Sequence, residues 1–146
     1  MTSCIFCKIA NGDLPSEKVY EDEHVFAFMD ITPVTKGHLL VIPKNHYENV
    51  YDLPADEASH LFSVVPKLAQ ALKETFQQEG MKGLNVLQNN GAEAGQSVFH
   101  FHMHLIPRYD KQEDGFQPGW EPQIETLTHD KIAAFAERVR QLTEAE

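Results

Sequence analysis

The sequence is poor in basic residues, in cysteine and in long apolar runs, and each shortage excludes a class of protein. Twelve Lys and Arg stand against 22 Asp and Glu, which gives a net charge of −10. A protein that binds duplex DNA or long RNA ordinarily neutralises phosphates with clustered basic side chains. Polymeric nucleic acid is therefore not an expected partner. One small phosphorylated ligand remains compatible, since backbone N–H groups, hydroxyls and a few histidines can hold it.

Two cysteines, Cys4 and Cys7, are too few for a disulfide scaffold, and a chain of 146 residues with 42% hydrophobic content does not need one. No apolar run approaches the roughly 20 residues that cross a bilayer. The N-terminus lacks a basic segment followed by an apolar one, as a secretory signal would have. We therefore expect one domain over residues 1–146 that is soluble, cytoplasmic and not bound to a membrane. The Cys-x-x-Cys spacing leaves two interpretations, a redox pair and half of a metal site.

Hydrophobic periodicity and turn residues predict the secondary structure. The predicted strands are Glu17–Tyr20, His24–Met29, His38–Ile42, Leu84–Gln88 and Ser97–Pro107. The predicted helices are a short turn or helix from Cys7 that ends at Asn11-Gly12, a long helix over Ala55–Gln78 and a C-terminal amphipathic helix over Thr128–Leu142. Pro66 lies inside the long helix and should kink it or move its start. Consecutive strands joined by short turns predict an α+β fold, a five-stranded antiparallel sheet with helices on one face.

Three of the eight histidines, His100, His102 and His104, alternate with hydrophobic residues in the last predicted strand. This alternation would place the three imidazoles on one face and the hydrophobic side chains on the other, toward the core. An imidazole with an ordinary pKa of ~6.5 is a neutral nucleophile near physiological pH. Three interpretations are open: a surface strand that happens to carry histidines, three ligands of a catalytic metal, and nucleophilic or general acid–base catalysis, which we favour.

The run His-Phe-His-Met-His-Leu-Ile at 100–106 resembles the signature of the histidine-triad family of nucleotide hydrolases and transferases. The resemblance extends over nearly the whole chain, because further segments match in the same order. Those segments are Cys4–Ile9, Phe28–Pro33, Gly37–Lys44 and Gly95–Val98. The resemblance implies a homodimer in which two five-stranded sheets join, and an enzyme whose middle histidine attacks the α-phosphorus of a nucleotide.

Carried over to this chain, the resemblance makes His102 the nucleophile, which is transiently nucleotidylated before water or another acceptor releases a nucleoside monophosphate. His104 would donate to phosphate oxygens, and Ser97 would be a further catalytic residue. The implied substrates are purine nucleoside 5′-phosphoramidates, acyl-adenylates or dinucleoside polyphosphates. The Gly95-Gln96-Ser97 loop resembles the phosphoramidase-like branch, and the other branch carries glutamine where His104 stands. A nucleotide-binding regulatory module with little turnover is the alternative.

The resemblance also implies a nucleotide-binding site built from several segments. Asp30 would accept both ribose hydroxyls, although a turn-forming aspartate explains the same residue. Phe28, Ile31 and apolar residues near Val25 would enclose the base, with modest purine discrimination because these contacts are apolar. The residues expected near the phosphate are Gly95, Gln96, Ser97, His102, His104 and Asn89, with Asn90 as the alternative to Asn89. His38 has two interpretations: a histidine of the core whose hydrogen bonds are satisfied, or a histidine that supports the triad.

Cys4 and Cys7 lack the strand-then-helix setting of a thioredoxin-like pair, so half of a zinc site is the better interpretation. In the cysteine-bearing branch of the family, the resemblance implies that His46 and His100 complete this site. Four protein ligands leave no position for water, so such a zinc is structural. A reduced, metal-free cysteine pair is the alternative. With His100 bound to zinc, three histidines are no longer available together for a catalytic metal.

Overall fold

The computed structural model describes residues 3–144, and within them five strands form one antiparallel sheet with the spatial order β1-β2-β3-β5-β4. The strands are β1 (Lys18–Glu21), β2 (Val25–Met29), β3 (Leu39–Pro43), β4 (Gly83–Gln88) and β5 (Met103–Arg108). The helices are α1 (Ile5–Asn11), α2 (Ala55–Phe76) and α3 (His129–Thr143), and single 3-10 turns lie at Gln77–Glu79 and Ala92–Ala94. This α+β architecture confirms the predicted fold class.

One face of the sheet packs against α2. The buried residues of α2 recur at spacings of three and four, which places them on one side of the helix. They are Leu61, Val64, Val65, Leu68 and Leu72, and they meet Val25, Ala27, Leu39, Val41, Met103 and Leu105 of the sheet. The helix begins at Ala55 as predicted, so Pro66 is accommodated inside it and does not move its start.

The opposite face of the sheet is covered by α1. Phe6, the buried residue of this helix, packs against Phe26, Phe28, Leu40 and Ile42. The rings of Phe6 and Phe28 meet edge to face with centroids 5.6 Å apart, a favourable aromatic geometry. The expectation that helices cover one face alone is therefore wrong, because α1 and α2 lie on opposite faces.

The start of α1 also differs from the prediction. The helix begins at Ile5 rather than Cys7, because Cys4 occupies the N-cap position and its Sγ accepts the backbone N–H of Cys7. Cysteine is not among the usual capping residues, so this start could not be predicted from the residue types. Gly12 ends the helix with a left-handed φ of 86°, as expected.

The last strand is shorter than predicted. β5 begins at Met103, and residues 97–102 lie outside the sheet. The backbone N–H of Phe101 donates to the carbonyl of Tyr47 at 2.7 Å, in the loop after β3. Side-chain alternation nevertheless continues through this irregular segment, since Phe101, Met103 and Leu105 are all buried in the core against α2.

The C-terminal helix α3 has the predicted amphipathic stripe but buries none of its residues. The stripe consists of Ile132, Phe135, Val139 and Leu142, all of them exposed. It therefore belongs to neither face of the sheet core. Of the helices within residues 3–144, none combines the length and apolar character that crossing a membrane requires.

Candidate active site

The three imidazoles lie together on the face of the sheet that α1 covers. His104 is in β5, where it pairs across the sheet with Leu40 of β3. The ring of His102 lies 5.1 Å from that of His104, centroid to centroid. Phe6 packs edge-on against the rings of His102 and His100, at 5.1 and 6.0 Å. The structure thus brings the predicted row together, although only His104 is within a strand.

His102 is 6% exposed, and its surroundings determine which ring nitrogen carries the proton. Its Nδ1–H donates to the backbone carbonyl of His100 at 2.7 Å. A carbonyl can only accept, so the proton is on Nδ1 and the lone pair is on Nε2. Burial lowers the pKa of His102 below its usual 6.5, against the opposing effects of this hydrogen bond and of Asp30. His102 is therefore a neutral imidazole with Nε2 available as a nucleophile.

His38 contacts the third histidine of the row from the turn before β3. Its Nε2 is 3.0 Å from Nδ1 of His104, and its Nδ1 accepts the backbone N–H of Val34 at 3.1 Å. The nearer carboxylate oxygen of Asp30 lies 3.5 Å from Nε2 of His38. Burial lowers the pKa of His38, and burial with the neighbouring His102 and His38 lowers that of His104 to about 4. Both rings are therefore neutral near pH 7.

Asp30 has the turn-forming contacts that the sequence allowed. Its Oδ1 accepts the backbone N–H of Thr32 at 2.9 Å and the Thr32 hydroxyl at 3.0 Å. Its Oδ2 is directed toward His38 instead. The carboxylate therefore organises the turn after β2 and adds negative charge beside the histidines. A contact with a ribose stays a prediction.

The residues expected around the base occupy three different environments. Ile31 is 85% exposed, whereas Phe28 is buried beneath Phe6. Val25 belongs to the core between the sheet and α2. It therefore lies on the opposite face from the histidine row and cannot line a pocket there. Base contacts by Ile31 and Phe28 stay predictions.

The loop between β4 and β5 is held in shape by Gln96. This side chain is buried, and its Oε1 accepts the N–H of Gly91 at 2.7 Å. Its Nε2 donates to the carbonyls of Glu48 and Val98, at 2.7 and 3.1 Å. Because backbone groups occupy both ends of the amide, the Gln96 side chain stabilises the conformation of this loop. Its contact with a nucleotide stays a prediction.

The two neighbouring asparagines of this loop have different surroundings. Asn90 accepts the N–H of Val50 at 2.7 Å and exchanges two hydrogen bonds with Gln88. Asn89 makes one long contact, 3.5 Å from its Nδ2 to the carbonyl of Gly95. Gly95 has a φ of 99°, and a Cβ there would lie 3.3 Å from the Asn89 amide. Asn89 thus retains hydrogen-bonding capacity that Asn90 has already used.

Ser97 is exposed at the end of this loop. It lines an open depression of about 440 Å³ together with Cys4, His46 and Phe99. Ser97 therefore lies near Cys4 and His46. The catalytic role expected for Ser97 stays a prediction.

The four predicted metal ligands, Cys4, Cys7, His46 and His100, come together with their ligand atoms within 4.8 Å of one another. Sγ of Cys4 is 3.4 Å from Nδ1 of His100, and Sγ of Cys7 is 3.3 Å from Nδ1 of His46. Bonds of ~2.3 Å to sulfur and ~2.1 Å to nitrogen place such atoms roughly 3.5 Å apart around a tetrahedral ion. Two thiols and two imidazoles at this spacing fit a closed metal site.

The position of the proton on the His100 ring agrees with a role as a metal ligand. Its Nε2–H donates to the carbonyl of Pro43 at 2.8 Å, so the lone pair is on Nδ1 and faces the two thiols. Metal-binding histidines usually make such a bond through the other nitrogen. Burial lowers the pKa of His100 to about 4, so the ring is neutral, and burial raises the pKa of the Cys7 thiol to about 11. A cation at this site would reverse the thiol shift.

The sequence left open that His38 supports the triad, but it did not reveal which residues His38 and His100 contact. His38 and His104 are 66 residues apart, and Pro43 binds His100 across 57 residues. A pairing of β3 with β5 would have brought the residues before β3 close to His104. The sequence of either strand alone, however, does not show which strand will lie next to it in the sheet.

Comparison with known proteins agrees with this arrangement. Residues 11–111 match the family described as HIT domain, and the chain belongs to that family. It is 60% identical over 119 residues to "Protein hit" of Bacillus subtilis (strain 168), covering 82% of this chain and 79% of that protein. It is 42% identical over 141 residues to the adenosine 5′-monophosphoramidase HNT1 of Candida albicans, covering 95% and 90% of the two chains.

A solved structure shows the same fold. The crystal structure of a HIT family protein from Bacillus anthracis superposes with a TM-score of 0.89 at 50% sequence identity. The match covers 95% of this chain and 96% of the other.

Acid should destabilise the folded protein between pH 6.5 and about 4, because His104 has its ordinary pKa of 6.5 when unfolded and about 4 when folded. In this window the unfolded chain binds more protons, so stability present above pH 6.5 is lost as the pH falls. Burial shifts His38 in the same direction. Urea unfolding at pH 7 and pH 5 measures the loss.

The variant His104→Gln cannot take up this proton and should lose less stability than the wild type between the two pH values. His129→Gln, at an exposed position, serves as the matched control and should behave like the wild type. Equal losses in the wild type and in His104→Gln would contradict the assignment.

Proposed function

We propose that this chain is a cytoplasmic nucleotidyl hydrolase or transferase that cleaves at the α-phosphate of purine nucleoside 5′-phosphoramidates, acyl-adenylates or dinucleoside polyphosphates. The observation that carries the proposal is the neutral His102 ring, whose Nδ1–H is bound to the His100 carbonyl and whose Nε2 carries the lone pair. The similarity to a Candida albicans protein named adenosine 5′-monophosphoramidase favours the phosphoramidates among these substrates. Two reduced cysteines suit a reducing compartment.

In the proposed reaction, Nε2 of His102 forms a bond to the α-phosphorus while the bond from phosphorus to the leaving group breaks. The ring then carries positive charge, which the His100 carbonyl stabilises through the Nδ1–H. Water attacks the phosphorus in a second step, and the nucleoside monophosphate leaves with its new oxygen. The bond from Nε2 to phosphorus breaks in this step, so His102 returns to its neutral form. Over both steps one water is consumed: its oxygen ends on the monophosphate, and the protons it releases balance the proton that an amine leaving group takes from solvent as it departs in the first step. Division into two displacements lowers each barrier.

The remaining site residues have binding roles in this proposal. His104, Ser97 and Asn89 donate to phosphate oxygens, and the unengaged capacity of the Asn89 amide favours it over Asn90. Asp30 accepts the ribose hydroxyls, with Ile31 and Phe28 beside the base. Gly95 and Gln96 shape the loop that approaches the phosphate.

A nucleotidyl adduct on His102 is the expected intermediate. Acid quenching during turnover of an adenosine phosphoramidate, followed by mass spectrometry, should detect adenylate on the peptide that contains residues 100–108. His102→Ala should cut turnover by orders of magnitude because the nitrogen that bonds to phosphorus is lost, while nucleoside monophosphate binding changes little because the other site residues hold the nucleotide.

Adenylate on a different residue, or full turnover in His102→Ala, would contradict this function. Nucleotide binding by the wild type with no turnover of any of the three substrate classes would favour a regulatory binding module instead. His24→Ala, at an exposed histidine away from the row, is the matched control and should turn over substrate normally.

The metal that we propose for the cysteine-containing cluster is zinc with a structural role. Cys4, Cys7, His46 and His100 would be its ligands, and four protein ligands leave no position for a reacting water. Zinc would tie the N-terminal helix α1 to the segment before β5. It would also hold His100, whose carbonyl orients the nucleophile.

Elemental analysis should find one zinc per chain in the wild type and much less in Cys7→Ser. Removal of zinc by a chelator should lower the melting temperature, while turnover measured well below the new melting temperature persists. Turnover that falls in proportion to zinc at an unchanged melting temperature would instead indicate a catalytic metal. Ser63→Ala, on the exposed side of α2, is a control that should keep both zinc and stability.

We also propose that two copies form a homodimer through β4. The two edges of the sheet differ: β1 carries Lys18 and Glu21 and has an irregular register, features that block edge pairing. The residues of β4, Gly-Leu-Asn-Val-Leu-Gln, include neither charge nor proline. A groove of about 320 Å³ between α2 and β4 runs beside this edge. Pairing of β4 with its copy would join two five-stranded sheets.

Light scattering should give twice the chain mass for the wild type and a shift toward the monomer for Val86→Lys. Val86 is 44% exposed on β4, so a lysine there should charge the edge without disturbing the core. Val19→Lys, at a 40% exposed position on β1, is the matched control and should remain dimeric. A dimer of unchanged strength in Val86→Lys would exclude this edge.

A further inference from the structure

The side chains of Gln88 and Asn90 form a closed pair around the residue between them. Nδ2 of Asn90 donates to Oε1 of Gln88 at 2.7 Å, and Nε2 of Gln88 donates to Oδ1 of Asn90 at 2.9 Å. Nε2 of Gln88 also donates to the backbone carbonyl of Asn89 at 3.1 Å. Residue 89 is therefore held at its own peptide by its two neighbours. We call Gln88 and Asn90, joined in this way, the amide clasp.

Two backbone groups determine how each amide of the clasp is oriented. The N–H of Val50 lies 2.7 Å from Asn90 and can only donate, so the oxygen of the Asn90 amide must face it. The carbonyl of Asn89 can only accept, so the nitrogen of the Gln88 amide must face that carbonyl. These two orientations agree, because they bring the oxygen of each amide to the nitrogen of the other. The clasp thus ties the end of β4 to the loop after β3.

The register of the sheet places the clasp on the face opposite to the histidine row. Gln88 lies directly across from Met103, which belongs to the core against α2. Residues directly opposite one another in an antiparallel pair share a face of the sheet, so Gln88 and its partner Asn90 lie on the α2 side. Alternation along the chain then places the Asn89 side chain on the other face, which carries His104.

The loop that begins at Asn89 is fastened to the same neighbouring segment at its far end. Nε2 of Gln96 donates to the carbonyl of Glu48 at 2.7 Å, two residues before Val50. Asn90 thus fixes the beginning of the loop and Gln96 fixes its end, both against residues 48–50.

We propose that Asn90 is a positioning residue for Asn89: the amide clasp holds the peptide of residue 89 so that the Asn89 amide stays on the histidine face, where it donates to a phosphate oxygen of the substrate. This inference rests on the proposed function for what the Asn89 amide binds. Within residues 3–144 the Asn89 side chain makes one long hydrogen bond, at 3.5 Å to the carbonyl of Gly95. Its orientation must therefore come mainly from its backbone, which the clasp holds.

Direct binding of phosphate by Asn90 is the competing interpretation. The oxygen of its amide already accepts two N–H groups, from Val50 and Gln88, and its nitrogen already donates to Gln88. To reach a phosphate on the histidine face, the Asn90 side chain would have to leave the α2 face and break these contacts. The contacts thus favour a role that Asn90 exerts through Asn89.

Two substitutions of Asn90 differ in how much of the clasp they keep. Asn90→Asp keeps the oxygen that accepts from Val50 and Gln88 and loses only the donor to Oε1 of Gln88. Asn90→Ala loses all of these contacts. Positioning predicts a kcat within about threefold of the wild type for Asn90→Asp and a loss of about tenfold for Asn90→Ala, with KM nearly unchanged. Glu93→Ala, at an exposed position in the same loop, is the matched control and should turn over substrate normally.

A double-mutant cycle shows whether Asn90 acts through Asn89. Asn89→Ala alone should lower kcat about 100-fold, because one donor to the phosphate is lost. Addition of Asn90→Ala to that variant should lower kcat by less than about twofold more, since no amide is left to position. A further loss of the full tenfold in the double variant would overturn the inference, because Asn90 would then act independently of Asn89.

Backbone ¹⁵N relaxation of the resting full-length protein tests the clasp without turnover. The order parameter of the residue 89 amide should be about 0.85 in the wild type and in Asn90→Asp, as in rigid backbone, and should fall below about 0.6 in Asn90→Ala. Gln88→Ala removes the contact with the Asn89 carbonyl while Val50 stays bound to Asn90, so it should give the same fall and serves as a second test.

An order parameter at residue 89 that stays unchanged in Asn90→Ala and in Gln88→Ala would overturn the inference. A wild type with the expected order parameters that turns over none of the three substrate classes would count against the proposed function and not against the positioning of Asn89 by the clasp.

Discussion

The hydrogen bond from Nδ1 of His102 to the carbonyl of His100 is the interaction on which the candidate site depends. It fixes the ring of one residue through the backbone of another, and that second residue is itself held at its side chain. His100 is anchored by the carbonyl of Pro43 and by contact with the thiols of Cys4 and Cys7. The contacts that hold the side chain of His100 therefore also help to position the ring of His102, because that ring binds the backbone carbonyl of His100.

Neutral groups, rather than cations, form the polar side of this site. The imidazoles have lowered pKa values because they are buried, and Asp30 compensates only partly. Attraction for a phosphate would then come from oriented N–H groups, whose dipoles are already aligned before a ligand arrives. In the proposed function, this is how a chain with a net charge of −10 would hold a phosphate. The local N–H donors would suit one small anionic group.

Local pattern was enough to predict most of the fold, and long-range pairing accounts for what was missed. The ends of α3 and of the first four strands lie within one residue of the predicted ends, because turn residues and periodicity mark them. The predicted start of β5 was wrong. Residues 97–102 alternate as in a strand, but the backbone N–H of Phe101 donates to Tyr47 in a distant loop. The cysteine cluster followed from the family resemblance. The His38–His104 pair needed the register of β3 against β5.

The late start of β5 affects the orientation of His102, the proposed nucleophile. In a regular antiparallel strand, backbone carbonyls are taken up by the neighbouring ladder and point sideways within the sheet. His100 lies before the ladder begins, so its carbonyl can bend back and receive the ring two residues further along. A histidine triad grafted onto an unbroken strand would reproduce the spacing of the side chains and lose the oxygen that orients the middle one. The irregular backbone before β5 is thus what allows the His100 carbonyl to orient the His102 ring.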